Sequence, residues 1–124
     1  MRIFKTRTFS RWVKRAGLAN YEIIQAVLEI QDGLIDARLG RNVIKKRIKR
    51  SGRGKRGGYR TILATNYHDR CYFLSGFAKN ECGNIDDAEL RMLQQLAAVL
   101  LALDVPHIEE ALLNGTLEEI FDGE

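Results

Sequence analysis

The sequence predicts an α+β fold: a small curved, mainly antiparallel sheet with an N-terminal helical hairpin and C-terminal helices. Three observations lead there. Apolar residues recur at helical spacing twice near the N-terminus and once, strongly, after residue 86. Between those stretches lie β-branched and aromatic runs bounded by Gly-rich or polar turns. The 124 residues are 45% hydrophobic with a single proline, enough for one modest core without metal or disulfide support. Residues 1–124 are therefore expected to form one domain, with 105–124 an acidic helical extension.

The elements follow in order. "RIFKT" (2–6), with Ile3 and Phe4, reads as a first strand. "TFSRWVKRAGL" (8–18) sets Phe9, Trp12 and Val13 at helical spacing and ends near Gly17. "ANYEIIQAVLEIQDG" (19–33) repeats the pattern through Ile23, Ile24, Val27, Leu28 and Ile30, with Asn20 available as cap and Asp32-Gly33 as stop. "RNVIKKRIKR" (41–50) embeds Val43, Ile44 and Ile48 in cations, and predicts a strand with a wholly basic outer face. "YRTILAT" (59–65) and "RCYFLSGF" (70–77), joined by "NYHD", read as two antiparallel strands. "DDAELRMLQQLAAVLLAL" (86–103) is the strongest helix: Asp86 caps it, Glu89 completes a capping-box pattern, and Leu93, Leu96, Leu100 and Leu103 form a seam. Its second half is apolar nearly all round, so it is either buried on both sides or awaits a partner. Pro106 is expected to end it, and residues 107–124 to form an acidic amphipathic helix broken at Asn114-Gly115.

Charge is sharply segregated. Residues 1–80 hold 19 Lys and Arg against 5 Asp and Glu, a balance of +14; residues 81–124 hold 1 against 11, a balance of −10. Ten of the twenty residues from 41 to 60 are Lys or Arg and none is acidic. Such a field draws polyanions. No stretch approaches the ~18 apolar residues of a membrane span, and the N-terminus lacks an apolar leader. Cys71 and Cys82 have no paired spacing, which suits free thiols in a reducing cytoplasm better than a disulfide framework.

Within the basic segment, "SGRGKRGGYR" (51–60) contains a literal G-x-G-x-x-G at Gly52, Gly54 and Gly57. A dinucleotide fingerprint needs a helix to open at its last glycine, whereas Tyr59 to Leu63 reads as strand. A phosphate loop of the Walker type needs Ser or Thr after Gly-Lys, and Gly54-Lys55 is followed by Arg56. No cofactor is expected. What remains is a cationic connection whose glycines allow close backbone approach to a ligand. Period-two alternation then puts Arg60 and Ile62 on one face of the following strand, with Tyr59 and Thr61 on the other.

"GRGKRGGYR" (52–60), followed two strands on by "GFAKNECGNID" (76–86) leading into a helix, resembles HigB-like members of the RelE/ParE superfamily, the toxins of bacterial toxin–antitoxin pairs. The resemblance runs from about Val43 into the helix that begins at Asp86. It implies a ribosome-dependent mRNA endonuclease without a metal, with mRNA on the ribosome and a cognate antitoxin as partners. By this resemblance Arg60 grips the scissile phosphate and Arg53 lies near the 2′-hydroxyl. Lys55 and Arg56 are the loop's other cations, and Lys79 stands beside the cleft. The position after that lysine, an arginine in some relatives, is Asn80 here. Lys45, Arg47 and Lys49 are expected to bind the RNA backbone with Asn80, and Tyr59 or Phe77 to take the place of a base-stacking tyrosine. Two further readings stay open: a gyrase inhibitor of the ParE kind, and a non-catalytic basic module that binds RNA or the ribosome.

Other chemistry-bearing residues read more plainly. His68 and His107 have no His, Cys or carboxylate at metal spacing and are expected on the surface. Cys71 alternates with apolar neighbours as a core residue does, and Glu81 is expected to pair with the basic cluster. The acidic residues 81–124 could lie over the basic cleft, but a solvated helix face is the simpler expectation.

Overall fold

A computed structural model describes residues 1–49, 58–78 and 85–121. The chain runs β1 (Arg2–Thr6), α1 (Arg7–Ala16), α2 (Asn20–Gln31), β2 (Ala37–Gly40), β3 (Val43–Ile48), β4 (Tyr59–Thr65), β5 (Arg70–Ala78), α3 (Asp87–Leu101), α4 (Val105–Leu113) and β6 (Leu117–Ile120). The α+β class and the mainly antiparallel sheet agree with expectation. Among the described residues six strands lie in the order β2-β3-β4-β5-β1-β6, with only the β1–β5 pair parallel.

Helices cover both faces of this sheet. On one face α1 and α2 press Phe9, Trp12, Val13, Ile23, Val27 and Ile30 onto Ile44, Ile48, Leu63 and Phe73. On the other, Ala97 and Leu100 of α3 and Ile108 of α4 pack on Phe4, Val43, Ile62, Tyr72 and Leu74. A strand buried on both faces needs apolar residues in succession, and β4 and β5 supply them in "ILA" and "CYFL".

Local signals account for most ends. Thr6 accepts the Phe9 N–H at 3.2 Å to start α1, and Gly17 closes it in the left-handed region at φ +72°. Asn20 does not cap α2. Ala19 holds that position, and Glu22 reaches back to accept the Ala19 N–H at 3.1 Å, which supplies one half of a capping box. Asp86 caps α3 as expected by accepting the Glu89 N–H at 2.8 Å.

One strand is added and three expectations are corrected. Residues 37–40 form a strand, too short and mixed to show a period, which pairs on the outer edge of β3. Pro106 does not end the long helix; α3 stops at Leu101, and Pro106 sits in the first turn of α4, where its missing N–H costs nothing. Residues 117–120 are strand rather than helix, pairing antiparallel with β1. The seam of α3 is also rotated: Ala97 and Leu100 are buried while Leu96 is exposed.

The acids of β6 are engaged at that far edge. Arg2 grips Glu119 with two hydrogen bonds of 2.8 Å, and Lys5 faces Glu118 at 3.6 Å. Strands β1 and β5 separate β6 from β4, so this acidic segment does not lie over the basic strands.

The basic face of β3 is likewise corrected at one position. Lys46 points inward between Ile44 and Ile48, where its Nζ donates to Glu29 Oε1 at 2.8 Å and to the Leu34 carbonyl at 2.9 Å. The Glu29 carboxyl is held below its usual range, chiefly by this hydrogen bond. Lys46→Met should therefore lower stability by about 1–3 kcal/mol, read as a shifted denaturation midpoint at constant slope. Glu29→Gln should cost less, because the Leu34 carbonyl keeps its donor.

A second charge pair sits at the start of α4. Asp104 accepts the His107 N–H at 3.0 Å and also meets the His107 ring. The ring contact raises the imidazole above its usual range, while the His107 backbone N–H first and then the ring lower the carboxyl below its own. For His107, raised when folded, the contribution is complete below the unfolded value and is lost as pH rises through the folded one. For Asp104, lowered when folded, it is lost as pH falls through the folded value. The His107 ring should titrate by NMR above about 6.5. In Asp104→Asn, which keeps a cap but drops the charge, the midpoint should move back down.

Candidate functional site

Strand register assembles the described part of the site. Arg47 of β3 lies opposite Arg60 of β4, which lies opposite Phe77 of β5, so the three form one row across the sheet. Lys45, Ile62 and Ser75 form the next row on the same face. The predicted sharing of a face by Arg60 and Ile62 holds, and this is the face covered further along by α3.

One extra residue creates this arrangement. Between the pairs Ile62–Ser75 and Leu63–Phe73 the register shifts, leaving Leu74 unmatched. Strict alternation would have put Phe73, Ser75 and Phe77 on one face. The bulge instead leaves Phe73 against the helical hairpin and turns Phe77 to the opposite face, beside Arg60. It also turns Gly76 toward α1, where a Cβ would stand 2.4 Å from the Trp12 ring. Nothing in the strand's own pattern announces the bulge, so the neighbourhood of Arg60, Phe77 and Ser75 escapes a reading of the sequence.

The row is electrostatically unfavourable as it stands. Like charges placed opposite each other in a ladder destabilise it, and Arg47 opposes Arg60. Arg60 is half-buried, and its Nη1 is shut off from solvent with no hydrogen-bond acceptor among the described residues. A guanidinium N–H in that position lacks a partner that an anionic oxygen would supply. Asp36, next to the edge of β3, is occupied with the Arg47 backbone N–H.

The predicted residues divide into four groups. Arg60, Arg47, Lys45 and Phe77 come together on one face. Lys49 is exposed just past β3, and its charge acts on Glu29 of α2. Tyr59 is corrected: it belongs to the core of the other face, only 6% exposed, with its hydroxyl donating to the Ala16 carbonyl at 2.9 Å and its ring edge-on to Trp12. It cannot stack on a base without opening the hairpin. Arg53, Lys55, Arg56, Lys79 and Asn80 lie outside the described residues, as do Glu81 and Cys82.

Cys71 is buried, and burial pushes its thiol up to about 12, so it stays protonated and is no nucleophile. Among the described residues no group of His, Cys, Asp and Glu gathers at metal-binding distance, and no helix is long and apolar enough to cross a membrane.

The family model described as "RelE toxin of RelE / RelB toxin-antitoxin system" matches residues 1–120 of the chain. No curated protein matches it.

Proposed function

The chain belongs to the RelE toxin family, and so is the toxin component of a toxin–antitoxin system; from that premise we propose that it is a ribosome-dependent mRNA endonuclease working without a metal ion. The observation that carries this reading is Arg60, a guanidinium on rigid strand backbone with a desolvated N–H that has no partner among the described residues, set between a second arginine and an aromatic ring.

RNA brings its own nucleophile. The 2′-oxygen attacks the adjacent phosphorus, the bond from phosphorus to the 5′-oxygen breaks, and the products are a 2′,3′-cyclic phosphate and a free 5′-hydroxyl. One proton leaves the 2′-hydroxyl and another reaches the departing 5′-oxygen. The protein must orient the linkage, stabilise charge on the phosphorane oxygens and handle those protons. Arg60 is assigned to the phosphate, where a guanidinium donates two parallel hydrogen bonds. Arg47 and Lys45 hold the neighbouring backbone, and Phe77 offers a base a surface to stack on. Arg53, Lys55, Arg56, Lys79 and Asn80 are assigned to the same cleft from the segments that border β4 and β5, with a lysine in the role of base.

Mapping RNA ends in cells expressing the chain tests this reading. Cuts inside translated reading frames, bearing cyclic phosphate and 5′-hydroxyl ends, are the expected result. A DNA-damage response without such cuts would point to gyrase, and bound but intact RNA to a non-catalytic module.

A further inference from the structure

From Met92 to Leu103 the chain holds no charged residue, yet the helix there is covered on one side only. Met92 is 69% exposed, Leu96 39% and Val99 63%, at spacings of four and three that set them in one stripe. Ala88, Gln95, Ala98 and Ala102 are exposed around them and add no charge. Single exposed apolar residues need no explanation, whereas a continuous uncharged helix face marks an interaction surface. Met92 to Ala102 spans about 15 Å of axis, enough for three turns of a facing helix.

The charges at its borders say what fits. Asp87 and Glu89 stand exposed at the start of the stripe, neither with an ion-pair partner among the described residues. Arg91 is the single cation in residues 81–124. A second copy of the chain would bring these acids against one another. A helix with an apolar stripe flanked by Lys and Arg would match both the stripe and its rim.

We propose that the outer face of α3, centred on Met92, Leu96 and Val99, is where the antitoxin docks, through an amphipathic helix with basic flanks. The proposal rests on the family of the chain and not on the cleavage chemistry. The partner sits on the side of α3 turned away from the sheet, so it holds the toxin without entering the row of Arg47, Arg60 and Phe77.

The experiment uses the full chain and its cognate antitoxin, identified as the protein whose coexpression suppresses toxicity. Hydrogen peroxide footprinting with mass spectrometry follows conversion of Met92 to its sulfoxide in the free and bound toxin. Oxidation should slow at least about fivefold in the complex, since an exposed thioether reacts and a covered one does not. The double variant Met92→Glu/Val99→Glu should bind the antitoxin at least about tenfold more weakly, as removal of central apolar anchors does. It should keep the wild-type circular dichroism and remain toxic on its own. Asp87→Lys/Glu89→Lys should slow association and flatten its salt dependence. Equal Met92 oxidation in both states, with unchanged affinity of the double variant, would overturn the proposal. So would light scattering that shows a dimer of the free chain dissolved by the same variant, which would assign the face to a second copy. Internal cuts in translated mRNA made by the free variant report separately on the cleavage reading.

Discussion

In Arg60→Ala, cleavage of translated mRNA is expected to fall roughly 10²–10³-fold, the usual loss when one preorganised donor to a transition-state oxyanion is removed, while the melting temperature holds or rises. Few catalytic substitutions make both claims. The first follows from where Arg60 stands, on β4 with an N–H that no atom among the described residues accepts. The second follows from its neighbours. Removing the guanidinium ends its opposition to Arg47 across the ladder and takes away a desolvated, unsatisfied donor, terms of about 0.2–1 and 1–3 kcal/mol. Lost packing of the side-chain stem works against them. Sites that hold charge ready for a substrate commonly give up stability to do so. Primer extension on a translated reporter gives the first number, and thermal circular dichroism the second. A variant that still cuts at the wild-type rate, or that unfolds many degrees earlier, would show Arg60 to be structural. Arg60→Lys separates charge from geometry, since lysine cannot make the two parallel contacts.

Gly76→Ala should be among the most disruptive single methyl additions in the chain. The new Cβ would lie 2.4 Å from Cε3 and Cζ3 of Trp12 and 2.7 Å from Cδ2, closer than carbon atoms approach. These are atoms of the fused ring, not the tip of a flexible side chain. The ring is also hemmed in by Phe9 at 5.5 Å and, edge-on, by Tyr59 at 5.2 Å. Either α1 lifts or β5 shifts, and overpacking of this kind costs about 1–3 kcal/mol or more, some 5–15 °C in melting temperature. Strand β5 carries Phe77 beside Arg60, so a shift there should also lower cleavage. The double-mutant cycle makes the claim specific. In a Trp12→Ala background, itself about 3–5 kcal/mol less stable, Gly76→Ala should cost almost nothing, a coupling of about 2 kcal/mol. Additive costs would mean that the methyl is accommodated elsewhere.

Both predictions depend on the unmatched Leu74. Ahead of it Cys71 and Phe73 face the helical hairpin; beyond it Gly76 takes that side and Phe77 turns to Arg60. A single inserted residue thus seats Trp12 on bare backbone and brings an aromatic ring beside the phosphate-binding candidate. Bulges next to functional groups commonly serve to re-aim a side chain in this way.

Much of this protein was legible without coordinates, because the relevant signals are local. Helical spacing from Phe9 to Val13 and from Ile23 to Ile30 reports one buried face per helix. Asp86 caps its own turn, and the alternation of Arg60 with Ile62 follows from strand geometry alone. The uncharged run from Met92 to Leu103 already implied a helix either buried throughout or awaiting a partner, and the concentration of cations in 41–60 already implied a polyanion. What only the tertiary structure decided involves partners distant in the chain. A residue is surplus only relative to the strand beside it, so the bulge at Leu74 has no local signature. "ARLG" and "LEEI" become strands because the edges of β3 and β1 offer unpaired N–H and C=O groups, not through any period of their own. Lys46 and Tyr59 look like surface residues in a basic segment until Glu29, the Leu34 carbonyl and the Ala16 carbonyl, brought in by α1, α2 and the connection after α2, satisfy their polar ends. Burial makes those contacts necessary, and burial is a property of the assembled layers.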